Sequence, residues 1–145
     1  MSLKKAGHHA EMLIGGEWVD SDERIDVVHP DDGEVVGSVP MASGADVRGA
    51  ITAAERAFEA SDLSAYERFE LLDRTAELLE ADADAMAETI TAEQGKPITE
   101  ARGEVDRAIQ TLRMSGEQAK RQFGEYVPMD PQKGFDRSHA FTQRE

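Results

Sequence analysis

Hydrophobic positions change period along this chain, and the changes mark out its elements. Residues 1–11 are polar apart from isolated apolar positions and read as a loose, disordered lead. From Met12 the pattern alternates. Met12-Leu13-Ile14, then Gly15-Gly16, then Glu17-Trp18-Val19 predicts a short hairpin, because two glycines supply the positive φ that a two-residue turn needs. Ile25 to Val28 is β-branched and apolar. His29-Pro30-Asp31-Asp32-Gly33 is dense in turn formers, and Glu34 to Val39 returns as a strand. Residues 12–40 therefore read as two β-hairpins.

After Pro40 the period becomes 3.6. Ser43 with Asp46 reads as a capping box, and Val47, Ala50, Ile51, Ala54 and Phe58 fall on one helical face. Ser61-Asp62 is a polar break. Ser64 with Glu67 opens a second helix, whose apolar face is Phe69, Leu72, Ala76 and Leu79. Ala81 to Asp84 marks a bend, after which Met86, Ala87 and Ile90 carry the pattern to Glu93. Gly95 sits where a helix-ending glycine belongs, and Pro97 prevents continuation. Thr99 is placed to cap the longest helix. Its apolar positions are Ala101, Val105, Ala108, Ile109, Leu112, Gly116, Ala119 and Phe123. From Thr99 to Phe123 that helix would span roughly 37 Å. The helical layer thus runs over residues 43–124. Glu125 to Gly134 reads as a turn-rich link and Arg137 to Glu145 as one final strand. A core built from such small helical residues is thin, which implies a layer made to pack against something else. Trp18 is expected to anchor the first hairpin to the body.

Composition narrows the function. There is no cysteine among the 145 residues, so this chain has no disulfide, thiolate metal site or cysteine nucleophile. Thirty acidic residues against 16 basic ones give a net charge of −14, which disfavours nucleic acid as a partner. The acidic residues are scattered and lysine is scarce, which points to a surface adapted to high salt, where screening relieves self-repulsion. The alternative is an ordinary acidic cytosolic protein. No segment approaches the roughly 20 apolar residues of a membrane span, and Lys4 and Lys5 are followed by no apolar run. The expected location is the cytoplasm, with no membrane partner.

Motifs that carry chemistry are scarce. No G-x-G-x-x-G turn occurs. Gln94-Gly95-Lys96-Pro97 contains the Gly-Lys of a phosphate loop but lacks its earlier glycine and its Ser or Thr. His8 and His9 with Glu11 could ligate a metal, although paired histidines in a polar lead are more often disordered. His29 and His139 read as structural. No catalytic, cofactor-binding or metal-binding residue is assigned on this basis.

The order of the elements is nonetheless familiar. Leu13 to Val19, His29 to Gly37, Ser43 to Phe58, and Tyr66-Glu67-Arg68 with Leu71-Leu72 resemble successive segments of the aldehyde dehydrogenase family. So do Glu93 to Pro97 with Glu100-Ala101 and Glu104-Val105, Gly124-Glu125 with Pro128 and Asp130, and Phe141 to Glu145. Each piece is weak alone, but their order and spacing together are specific from about residue 12 to the last. Val105 to Leu112 is most similar to the lactaldehyde, succinate-semialdehyde and non-phosphorylating glyceraldehyde-phosphate branches.

The resemblance implies an α+β fragment of the α/β aldehyde dehydrogenase fold, with two hairpins, three to four helices and a strand. The helices would wrap the cofactor domain, and residues 125–145 would begin the oligomerisation strand. It implies NAD(P)+-dependent oxidation of an aldehyde in a complete enzyme, with the glycine-rich turn, glutamate base and cysteine nucleophile lying beyond Glu145. This chain alone would then hold no cofactor and perform no catalysis. Its partners would be the remainder of the dehydrogenase or a second subunit in a homo-oligomer. A non-catalytic interaction module derived from the family is the alternative. The resemblance also places Arg107, beside Gly103, near the positions that line the substrate tunnel, where an arginine suits a carboxylate or phosphate. The competing reading is a solvent-exposed arginine paired with Asp106 or Glu104. Lys96 is read as a cation at a helix end, favoured by the dipole.

Overall fold

The structure is a computed structural model and describes residues 8–121, 123–129, 131, 133–134 and 139–142. Strand β1 is His8–His9, β2 is Met12–Ile14 and β3 is Glu17–Val19. Strands β2 and β3 pair as an antiparallel hairpin with Ile14 opposite Glu17, and both intervening glycines have positive φ (62° and 90°). Two such residues give a turn whose twist matches that of its strands. The hairpin rests on the first helix, since a Cβ on Gly15 would meet Ala53 Cβ at 3.5 Å.

Strands β4 (Arg24–Val28) and β5 (Val35–Pro40) form the second expected hairpin, with an irregularity between Val27 and Val28. Its loop is closed by Gly33 N donating to His29 O (2.9 Å) and His29 N donating to Glu34 O (2.8 Å). The first departure from the sequence reading lies beside it. His8 and His9 pair in parallel with Gly37 and Ser38, so this end of the expected loose lead is a strand. Arg24 secures the arrangement, because its guanidinium donates to Ala10 O (2.8 Å) and Ser38 O (3.0 Å) and pairs with Asp20. Residues 1–7 lie outside the described residues.

Four helices follow: α1 (Gly44–Ala60), α2 (Ala65–Ala81), α3 (Ala83–Gln94) and α4 (Ile98–Ala119). Both expected capping boxes are present. Ser43 Oγ accepts from Asp46 N while Asp46 accepts from Ser43 N, and Ser64 and Glu67 repeat the exchange. The bend at Asp82 divides α2 from α3: its N–H donates to Leu78 O at the end of α2, and its carbonyl accepts from Met86 N at the start of α3.

The core lies where α2 and α3 pack on α4. Ala76, Ala87, Ala101, Val105 and Ile109 are buried, and Leu79, Ala83, Ile90, Ile98 and Leu112 pack around them. Three of the five buried side chains are alanines, which lets the helices pack closely. Gly116 serves the same end: a Cβ there would meet Phe69 Cδ2 at 3.3 Å.

Helix α4 differs from expectation at both ends. It begins at Ile98 with Pro97 as its cap residue, and no side chain caps it, so Thr99 does not. It ends at Ala119 rather than Phe123. Its 22 residues span about 33 Å. Ala108 is exposed and Phe123 is 72% exposed, so neither joins the buried face.

Beyond α4, β6 (Tyr126–Pro128) pairs antiparallel with β7 (His139–Phe141). The segment read as a link therefore supplies a strand, and the expected final strand has its partner in this chain. Of that expected strand, Arg137, Ser138 and residues 143–145 lie outside the described residues.

Candidate functional site on helix α4

The corner between α3 and α4 sets up the chemistry around Arg107. Gly95 caps α3 in the left-handed conformation (φ 66°), its N–H donating to Thr91 O at 2.9 Å. A Cβ on Gly95 would lie 2.8 Å from Pro30 Cγ, so the β4–β5 loop closes directly over this turn. Pro97 then starts α4.

Lys96 Nζ is paired with Glu104 Oε2, about two turns along α4. The expectation of a helix-end cation missed this partner. The Lys96 hydrogen bond, then the Lys96 charge, hold the Glu104 carboxyl below its ordinary pKa, with a smaller downward pull from the Arg107 charge. Gly103 and Arg107 lie one turn apart. A Cβ on Gly103 would stand 3.5 Å from Arg107 Nη1, so the guanidinium folds back along the helix over the glycine.

The sequence offered two readings of Arg107, and the ion pair to Asp106 or Glu104 is not formed. Its neighbours on α4 behave differently. Arg102 Nε donates to Asp84 Oδ1 on α3 (3.1 Å), and Arg113 Nη2 donates to Glu80 Oε2 on α2 (2.6 Å). On α2, Arg74 pairs with Glu77 and Arg68 donates to Leu63 O. Among the described arginines of α2 to α4, Arg107 is the one without a direct acceptor.

Two concavities flank these helices. One of about 800 Å³ lies between α2 and α4 and is walled by Leu71, Leu72, Met114 and Ala119. The other, about 710 Å³, lies between the β4–β5 hairpin and α3. Thr91 Oγ1 is buried in its wall without a partner. By contrast, Thr75, Thr89 and Thr111 each return their hydroxyl to the carbonyl four residues back. Among the described residues no group of three or more His, Asp or Glu side chains could hold a metal ion. No described helix is long and apolar enough to cross a membrane. Trp18 is 67% exposed, which corrects its expected role as an anchor.

Known proteins share this arrangement. The pattern of the Aldehyde dehydrogenase family matches residues 18–145. Glutarate-semialdehyde dehydrogenase of Pseudomonas aeruginosa is 41% identical over 132 residues, which is 88% of this chain and 27% of that protein. The 3-sulfolactaldehyde dehydrogenase of Priestia aryabhattai is 37% identical over 131 residues, covering 90% of this chain and 27% of its own length. Among solved structures, the NADP-dependent glyceraldehyde-3-phosphate dehydrogenase of Bacillus halodurans, complexed with NADP, superposes with a TM-score of 0.82 at 36% identity. That match covers 88% of this chain and 28% of that one. The chain belongs to the aldehyde dehydrogenase family, and it corresponds to the N-terminal segment of those enzymes. It spans about a quarter of the length of the relatives it matches.

Proposed function

We propose that this chain is the N-terminal layer of an NAD(P)+-dependent dehydrogenase for aldehydes with a distal anionic group, and that Arg107 over Gly103 faces that group. The observation that carries the reading is the unpaired guanidinium on α4, in a chain with 30 carboxylates that satisfies the helix's other two arginines. A guanidinium binds carboxylate, sulfonate and phosphate through paired hydrogen bonds. The substrates named for the relatives above carry one of those three groups each. NAD(P)+, the nucleophile and the base belong to the rest of such an enzyme, with the four helices wrapped against its cofactor domain. Cytoplasmic location, assembly as a homo-oligomer and an acidic surface suited to high salt complete the proposal.

The test is a graft. Residues 12–145 replace the matching segment of the Pseudomonas aeruginosa relative, and KM is measured for glutarate semialdehyde and for pentanal. Arg107→Leu should raise KM for the anionic substrate by roughly 10- to 100-fold, the worth of a charged hydrogen bond, and leave pentanal unchanged. An equal effect on both aldehydes refutes the role of Arg107. The purified 145-residue chain alone should reduce no cofactor with either aldehyde.

A second reading is a non-catalytic interaction module of the same family. It is favoured by exposed apolar side chains on α1 and the first hairpin, with Phe58 at 82% and Trp18 at 67%. Here the partner is a full-length subunit or a second copy. Light scattering that shows a clean monomer at every salt concentration removes this reading.

A further inference from the structure

On a bare helix Glu104 and Arg107, three residues apart with the acid first, would attract one another. That pair is not formed here. Lys96 comes off the α3–α4 corner, where the left-handed Gly95 and the cap residue Pro97 turn the chain, and its ammonium takes Glu104 Oε2. The Arg107 guanidinium lies instead over Gly103, where there is no side chain to displace it. Arg102 and Arg113 are held by acids on other helices, so neither competes for Glu104.

We infer that Lys96 is a positioning residue that occupies Glu104 and thereby keeps the Arg107 guanidinium available for the distal anion of the substrate. This rests on the anionic-aldehyde reading for its purpose, but the arrangement itself is testable in the chain alone. In a helix face rich in acids, an arginine becomes an anion receptor only if its nearest carboxylate is engaged elsewhere. A lysine supplied from the preceding corner does this without adding a side chain beside the guanidinium.

The experiment is arginine modification of the 145-residue chain by phenylglyoxal, resolved by site with mass spectrometry. Arg102 and Arg113 serve as internal references. Arg107 should react faster than both in the unaltered chain. Lys96→Met should slow Arg107 roughly twofold, the strength of a helix-surface ion pair, without moving the references. Lys96→Arg should restore the rate, and so should Lys96→Met combined with Glu104→Gln, since no acid then remains to capture the guanidinium. An Arg107 rate indifferent to Lys96→Met overturns the proposal. So does a common rise of all three arginines, which would make Lys96 a holder of the corner alone. Reactivity is read with no dehydrogenase substrate present, whereas the anion role is read from KM in the graft, so the two readings fail separately.

Discussion

Helices α1 and α2 begin alike and end up in opposite circumstances. Each has 17 residues, a serine cap and a reciprocal carboxylate three residues on. Each also carries an apolar stripe. The stripe of α2 is covered by α4, and Ala76 is fully buried. The stripe of α1 is not: Val47, Ile51 and Phe58 are 49%, 55% and 82% exposed, and no residue of α1 is buried. Local signals are thus sufficient to start a helix but do not decide what it packs on. Most helical stability in proteins comes from packing of the apolar face, so α1 should be the weaker of the two in this chain.

The largest expected effect tests that division. Ile109→Ala empties a buried site between α4 and its neighbours and should cost about 2–4 kcal/mol, toward the lower end where the thin core can collapse. Phe58→Ser on α1 should stay within about 0.5 kcal/mol, the range of a surface change. Urea unfolding followed by circular dichroism measures both. Similar costs for the two variants would mean that α1 buries its face in solution, which would erase the contrast.

A smaller effect is expected where the sheet meets the helical layer. Gly95→Ala places a side chain in left-handed backbone and drives its Cβ against Pro30. The backbone part alone should cost roughly 1–3 kcal/mol. Combining it with Pro30→Ala should recover only the part due to the contact. Full recovery in the double variant would show that the left-handed conformation at residue 95 is not required.

Much of this was readable from local pattern. The Gly15-Gly16 turn, both capping boxes, the Asp82 bend and the Gly95 stop depend on residues close in sequence, and all are found. One failure is local: Pro97, two residues before Thr99, takes the cap position at the start of α4. The others involve distant partners. The His8–His9 strand exists because of Gly37 and Ser38, and β6 because of β7. Trp18 looked like an anchor by residue type alone, yet it is largely exposed. At the candidate site, Arg107 and Gly103 were singled out only through family resemblance. The Lys96–Glu104 pair crosses a helix corner, a geometry that no helical spacing encodes.

The capping boxes allow the finest test of the comparison. Both acids have lowered pKa values, Asp46 through its hydrogen bonds to the Ser43 side chain and backbone, and Glu67 through those to Ser64. A carboxylate whose folded pKa is depressed contributes stability that is present above its unfolded value and is lost as pH falls through the folded one. For Glu67 the contribution is therefore complete above about 4.5 and disappears progressively below it. For Asp46 the corresponding unfolded value is 3.8, and its contribution is likewise lost as pH falls below that value. Removing the caps separates the helices further. Ser64→Ala should lower global stability by about 1 kcal/mol, the usual worth of a cap on a helix that packs. Ser43→Ala should leave the global transition in place and speed amide exchange only in the first turn of α1, because nothing buried depends on that turn. In each variant the acid dependence attached to the matching carboxylate should shrink, since the serine side-chain bond is its first cause and only the backbone bond survives, while the other box is unchanged. A global loss from Ser43→Ala equal to that from Ser64→Ala would show that α1 unfolds together with the core, and the two helices would then belong to one cooperative unit despite their unequal burial.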